Sequence, residues 1–319
     1  MKIVVLDGYT ENPGDLSWEG MEKFGELVVY DRTPKELVVD RMQGAEAVFT
    51  NKTVISEADM DQCPGLRFIG VLATGYNIVD LNGARKHGII VSNVPAYSTK
   101  TVAQFTMALL LEMCDHVGEH SRAVREGEWS SCIDFCFWKY PLVELAGKTF
   151  GIVGFGRIGQ EVAKIARAFG MEVVVYSHHE IPAERLSEGV SSVSLEELYH
   201  RADVISLHCP LTEETKGLIC EDSIAKMKDG VKIINTGRGP LIKEKDLSEA
   251  LKSGKVSGAA VDVADVEPIP ATSPLLTAPN MIITPHIAWA AKEARIRLME
   301  ISVQNLKSYV AGSPIHVVS

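Results

Sequence analysis

Three short stretches carry side chains suited to moving a proton and gripping a carboxylate. INTGRGP holds Arg238, VDVADVEP holds Asp262 and Glu267, and TPHIAW holds His286. Each stands at or just after a short apolar run, and in an open α/β sheet the carboxyl ends of the strands face the ligand crevice. Arginine offers a planar fork for binding a carboxylate through two hydrogen bonds, and histidine can release a proton near neutral pH. Glu267 beside His286 would favour the imidazolium and fix its orientation. One arginine and one histidine suffice to reduce a 2-oxoacid when a nicotinamide delivers the hydride. Taken singly, each residue also has a plainer role: Arg238 in a surface ion pair, Glu267 as a solvated loop acid, His286 as a satisfied core histidine.

A nicotinamide needs a dinucleotide site, and GIVGFGRIGQEVAKIARAFGMEVVVYS contains the pattern for one. Gly154, Gly156 and Gly159 form GxGxxG after an apolar strand and at the start of a helix. That helix shows Ile158, Val162, Ile165 and Phe169 on one face, ends at Gly170, and runs into another strand, which completes a βαβ unit. The glycines provide a tight turn, close backbone approach to a pyrophosphate and close helix-to-strand packing, with the helix N-terminus receiving negative charge.

The second strand of this unit ends in VVVYSHHE. An NAD site places a carboxylate at such an end, on the ribose 2′-hydroxyl. Here the residue is Ser177, 23 positions past Gly154. A serine hydroxyl can donate to a 2′-hydroxyl or a 2′-phosphate, and His178 or His179 could become cationic beside a phosphate. Loss of the acid removes a barrier to NADP(H) without imposing it, since no arginine stands there and Glu180 is close. The reading leans to NADP(H) or dual use over strict NAD(H).

The supporting elements follow from hydrophobic patterning. Short apolar runs alternate with helix-period segments: KIVVLD, ELVVYD, EAVFTN, LRFIGVLA and GIIVSNV, then TFGIVGF, MEVVVYS, DVISLHC, VKIINT, GAAVDV and NMIITPH. This alternation predicts parallel sheets with crossover helices. Eleven strands exceed one comfortable open sheet, so two Rossmann-like, doubly wound α/β domains are expected, with the active site in the cleft. The expected boundaries are 1–97 plus 290–319 for the substrate-binding domain and 98–289 for the dinucleotide-binding domain. A helix over 99–114 would bridge them. A terminal helix with Ile296, Met299, Val303, Leu306 and Val310 at helical spacing would return to the first domain.

Composition narrows the partners. The chain has 319 residues, 46% hydrophobic and 23% charged, with a formal net charge of −10. That balance describes an ordinary globular protein and gives no long-range attraction for nucleic acid or anionic lipid. No signal-peptide layout opens the chain and no apolar run approaches the ~20 residues of a membrane span, so a cytoplasmic location is expected. Six scattered cysteines are expected as reduced thiols, and Cys132 and Cys136 with His116 and His120 lack the spacing of a zinc ribbon. No metal is expected.

Taken together, INTGRGP, DVADVEP and TPHIAW in that order, with GFGRIG, resemble the D-isomer-specific 2-hydroxyacid dehydrogenases over essentially the full length of the chain. VLATGYNIVD, NVPAYSTKTVAQFTMALLL, DFCFWKYP and PHIAW look most like the bacterial glycerate dehydrogenases, or hydroxypyruvate reductases, within that family. The resemblance implies that Arg238 binds and polarises substrate, that Glu267 pairs with His286, and that His286 is the acid in reduction and the base in oxidation. It also implies that Asp262 holds the nicotinamide carboxamide. Further cofactor contacts carry over to Arg157 and Ile158 in GFGRIG, to His208, Pro210 and Thr215 in HCPLTEET, and to Thr236, Gly237 and Ala288. Backbone N–H groups around Ala73, Thr74 and Gly75 would meet the substrate carboxylate. Trp138, in the aromatic loop, would reach the partner subunit's site in a homodimer.

Two positions depart from the family pattern: Ser177 replaces the usual acid, and Gly237 stands where alanine is common. Hydroxypyruvate and glyoxylate are the substrates this resemblance points to, giving D-glycerate and glycolate. Phosphoglycerate and bulkier 2-oxoacids remain open, although the chain has no extra regulatory region like that of many phosphoglycerate dehydrogenases. A dinucleotide-sensing corepressor of related fold is the rival from outside catalysis.

Overall fold

The computed structural model describes residues 1–186 and 188–319. Residues Met1–Ser98 with Ala290–Ser319 form one compact unit and Thr99–Trp289 another. In the first unit, strands β1 (Lys2–Val5), β2 (Glu26–Val29), β3 (Ala47–Thr50), β4 (Phe68–Val71) and β5 (Ile90–Ser92) make a sheet of order β2-β1-β3-β4-β5. Every pairing is parallel. This is one of the common doubly wound orders, with its switch point at the first strand.

The second unit holds β6 (Thr149–Val153), β7 (Glu172–Tyr176), β8 (Val190–Ser192), β9 (Val204–Leu207), β10 (Val231–Asn235), β11 (Val256–Val261) and β12 (Met281–Ile283). Their order is β12-β11-β10-β9-β6-β7-β8, again wholly parallel. Read outward from β6, the chain builds β7 and β8 on one side and then crosses to β9 through β12 on the other. The reversal opens a crevice at the carboxyl ends of β6 and β9, where doubly wound sheets bind their ligands.

Period-two alternation explains why both faces of this sheet are covered. Phe150, Ile152, Val204, Ile234 and Ala260 belong to one buried cluster. Their neighbours Val153, Ile205, Ile233 and Ala259 belong to the other. Helices Thr99–Asp115 and Arg157–Ala168 cover the first face, and helices Leu195–Arg201 and Glu244–Ser253 the second. Each fully buried Ile or Phe in such a core contributes about 1.5–3 kcal/mol.

The structure departs from the sequence reading in several places. A twelfth strand, β8, was not expected: Val190–Ser192 reads VSS, with only Val190 buried, and so shows no apolar run. On the helix after the glycine loop the buried residues are Gly159, Val162, Ala163 and Ala166, while Phe169 is 40% exposed. Small residues form that face because the helix lies close to the strands. The terminal helix Lys292–Val310 does belong to the first unit, but Ala294, Leu298, Met299, Ser302, Asn305 and Leu306 are buried and Ile296 and Val310 are exposed. Counting large apolar residues missed that face because Asn305 is buried with partners: its amide donates to Asn93 O and its carbonyl oxygen faces His316 Nδ1, both at 2.8 Å. Helix Thr99–Asp115 packs in the core of the second unit through Ala103, Met107, Leu110 and Met113, inside the 98–289 segment expected for it.

Candidate functional site

The glycine loop leaves β6 at the switch point, and its geometry separates the roles of the three glycines. Gly154 has φ +98, and a Cβ there would lie 2.4 Å from Cys209 N and 2.6 Å from His208 C. A side chain would therefore collide with the strand end across the crevice. At Gly159 a Cβ would lie 2.3 Å from Gly154 O and 3.1 Å from Ile152 Cγ2, so glycine lets the helix sit against the strand. At Gly156 a Cβ would meet nothing within 4 Å. The open space there is what a pyrophosphate approaching the backbone requires. The helix Arg157–Ala168 begins directly after Gly156 with no side chain capping it. Its first N–H groups and the positive end of its dipole remain available to an anion, so the residues present fit a dinucleotide.

On the far side of the crevice, His208 follows β9. Its Nε2 lies 2.8 Å from Ser206 Oγ, and burial pushes the imidazole down to about 4, so it is neutral at physiological pH. The next turn is tied internally: Thr212 N–H donates to Thr215 Oγ1 and Thr215 Oγ1 donates to Pro210 O, each at 2.8 Å. Ser177 is partly buried at the end of β7. His178 and His179 beside it are exposed, with their rings edge to face at 5.0 Å.

The polar residues emerge together because β10, β11 and β12 are neighbours in register. Asn235 pairs with Val261, and Val261 with Ile283. Arg238 lies three residues past the first strand, Asp262 immediately past the second, and His286 three past the third. Thr236 Oγ1 lies 3.1 Å from Thr106 Oγ1, which ties the first loop to helix Thr99–Asp115. Arg238 is exposed, its backbone carbonyl fixed by Asn235 Nδ2 at 2.8 Å and one guanidinium nitrogen donating to Gly237 O. The residue after it must be glycine. A Cβ on Gly239 would lie 1.9 Å from Ala264 O, so only a bare backbone lets the arginine loop meet the loop that leads to Glu267.

Glu267 accepts from His286 Nδ1 at 2.7 Å with one oxygen and from Ala264 N at 3.2 Å with the other. A carboxylate facing Nδ1 requires the proton on that nitrogen, which leaves Nε2 as the working atom. His286 has φ +55, a left-handed backbone uncommon for residues other than glycine. Asp262 enforces it. This buried carboxylate accepts from Thr284 Oγ1 at 2.6 Å, Ile287 N at 2.9 Å and Ala288 N at 2.8 Å, bracketing His286 on both sides. Sequence reasoning gave Asp262 a cofactor role and missed this one as a strut, because the donors come from a segment more than twenty residues away.

In the first unit, the loop after β4 carries Ala73, Thr74 and Gly75. Their backbone N–H groups donate to no protein acceptor among the described residues, whereas the carbonyls of Ala73 and Thr74 accept from Val94 N and Asn93 Nδ2. Free donors turned outward suit an anion. Two further residues, not singled out from the sequence, support this loop. Asn51 donates to Leu72 O at 2.7 Å, and the Asp7 carboxylate accepts from the backbone N–H groups of Asn51, Lys52 and Thr53. The available signal was their position at the ends of β1 and β3.

Trp138 lies on a loop of the second unit with Ile133 and Phe135. It is 67% exposed and Phe135 is 89% exposed. The six cysteines are free, and no cluster of three or more metal-ligating side chains occurs among the described residues. Among those residues no helix is long and apolar enough to cross a membrane.

Comparison with known proteins agrees with this geometry. Residues 107–288 match the family model for the D-isomer specific 2-hydroxyacid dehydrogenase, NAD binding domain. A hydroxypyruvate reductase of Blautia hydrogenotrophica is 55% identical over 322 residues, covering 100% of both chains. The crystal structure of the TT0316 protein from Thermus thermophilus superposes with a TM-score of 0.87 at 36% identity, covering 100% of both. An acyclic imino acid reductase in complex with NADPH and D-Arg superposes with a TM-score of 0.85 at 29% identity, also over 100% of both. The matched segment spans the glycine loop and the strand ends that carry Arg238, Asp262, Glu267 and His286, and relatedness extends over the whole chain. This chain therefore belongs to the D-isomer specific 2-hydroxyacid dehydrogenase family and is an NAD(P)-dependent oxidoreductase.

Proposed function

We propose that the protein transfers a hydride from NAD(P)H to a small 2-oxoacid, hydroxypyruvate foremost and glyoxylate beside it, giving D-glycerate and glycolate reversibly. The observation that carries this reading is the Glu267–His286 pair at 2.7 Å, with Nε2 turned away from the carboxylate. The Blautia hydrogenotrophica relative supports the substrate.

A bound reduced nicotinamide supplies the hydride. As the carbonyl oxygen gains negative charge, His286 donates the Nε2 proton to it, and the Glu267 carboxylate bonded to Nδ1 holds the ring in place. In the reverse direction the neutral imidazole takes the proton back. The Arg238 fork holds the carboxylate and polarises the carbonyl, while the N–H groups of Ala73, Thr74 and Gly75 take the remaining carboxylate charge. Asp262 has about four acceptor positions, three of them occupied, which leaves one for the carboxamide. Arg157, Ile158, His208, Pro210, Thr215, Thr236, Gly237 and Ala288 line the cofactor.

Dual cofactor use, leaning to NADP(H), is supported by the absence of a carboxylate at Ser177 and by NADPH in the related imino acid reductase. A homodimer in which Trp138 reaches the partner's site is supported by the exposed apolar loop. Six free thiols suit a reducing cytoplasm.

The test is cofactor oxidation by purified protein with hydroxypyruvate, glyoxylate and a bulky 2-oxoacid, each with NADH and with NADPH. The highest kcat/KM is expected on hydroxypyruvate, with NADPH at least equal to NADH. Preference for the bulky acid would overturn the substrate, and no turnover with any pair would favour a dinucleotide sensor.

A further inference from the structure

The end of β7 lacks an acid, yet a carboxylate stands close by. His178 Nδ1 lies 3.6 Å from Glu214 Oε2, both side chains being largely exposed. The two residues come from opposite sides of the dinucleotide crevice, since β6 lies between β7 and β9 in the sheet and Glu214 belongs to the turn that follows β9. Their contact spans the wall positions that flank the glycine loop. The turn that carries Glu214 is fixed by the hydroxyl of Thr215, which both accepts from Thr212 N and donates to Pro210 O, and by Lys216 N donating to Thr212 O at 2.9 Å. Glu214 thereby stands beside His178, the residue after Ser177, near where the adenosine ribose of a dinucleotide lies.

We propose that Glu214 determines discrimination at the ribose 2′-position, supplying from the opposite wall the carboxylate that the β7 end lacks, with the His178 ring beside it. The carboxylate accepts from a 2′-hydroxyl and repels a 2′-phosphate, and the neighbouring imidazole offers a ring N–H to either group. The inference rests on the dinucleotide site described above and is independent of which oxoacid is reduced. A single charge about 5 Å from a doubly charged phosphate in water changes affinity roughly tenfold.

Calorimetric titration of the full chain with NADPH and with NADH, in the absence of any oxoacid, tests it. Glu214→Gln is expected to tighten NADPH binding about five- to tenfold and to leave NADH within about twofold, with the gain shrinking at high salt as the charge is screened. Glu213→Gln is the control: it removes the same charge one residue earlier, from a side chain that forms no ion pair among the described residues. Equal changes for the two cofactors, no change, or the same effect from Glu213→Gln would overturn the proposal. Selective tightening in a protein that fails to reduce hydroxypyruvate would uphold it while removing the proposed substrate.

Discussion

Glu267 Oε2 accepts a hydrogen bond from His286 Nδ1 at 2.7 Å, and this one contact leaves Nε2 as the ring nitrogen proposed to meet the substrate. In the proposed reaction the glutamate acts through the histidine and touches no reacting atom. Its removal should spare the cofactor and slow the proton transfer. Glu267→Ala is expected to lower kcat by about a hundredfold, with NADPH binding unchanged by calorimetry. Glu267→Gln, which keeps an acceptor without the charge, should fall between. Native turnover in the alanine variant would show that imidazole orientation does not limit the reaction.

Arg238 offers a fork, and a lysine at the same position offers only a point charge. Its guanidinium is exposed and, among the described residues, bonded only to Gly237 O. Arg238→Lys should therefore lower kcat/KM for hydroxypyruvate at least about tenfold while the fold stays intact, because the contacts proposed for the fork are with substrate. Steady-state kinetics beside a thermal melt would separate the two effects, and native kcat/KM would refute the assignment.

Two neighbouring glycines should respond differently to an added methyl. At Gly239 it would lie 1.9 Å from Ala264 O, whereas at Gly237 the nearest atom, Leu207 O, is 3.3 Å away. Backbone must move in the first case, while a few tenths of an ångström suffice in the second. Gly239→Ala is expected to destabilise the chain by about 1–3 kcal/mol, and Gly237→Ala by distinctly less, as read from urea unfolding. Equal midpoints would contradict the close approach of the two loops.

The neutral His208 makes acid stability partly a property of one residue. Burial holds the folded imidazole at about 4, while an unfolded chain exposes a histidine near 6.5. Between those values the unfolded chain binds more protons. Its contribution is therefore complete above about pH 6.5 and is lost as pH falls toward 4, by up to about 3 kcal/mol. His208→Gln should flatten the decline in melting temperature across that window. An unchanged slope would mean that other groups carry the acid sensitivity.

Much of this site was legible in the chain because its parts are local. The glycine loop, the strand before it and the helix after it lie within one βαβ unit, so spacing alone specified Gly154, Gly156 and Gly159 and the serine at 177. Arg238, Glu267 and His286 were legible as residues at strand ends, since eleven apolar runs located the strands. Two kinds of feature were not. The edge strand β8 pairs on one side only, so its VSS sequence carries little hydrophobic signal. The terminal helix buries Asn305 against Asn93 and His316, and a reading based on large apolar side chains cannot detect a polar residue that folds with partners.

By itself the sequence determined two parallel α/β sheets, a dinucleotide loop and a set of side chains sufficient for 2-oxoacid chemistry, because these depend on short-range periodicity and spacing. Tertiary structure decided how those side chains work. Strand register brings segments far apart in the chain to one sheet end, and only there does Asp262 bracket His286, does Gly239 let two loops meet, and does Glu214 face His178 across the glycine loop. Each is a contact between segments on different strands, and its geometry is set by the folded sheet as a whole.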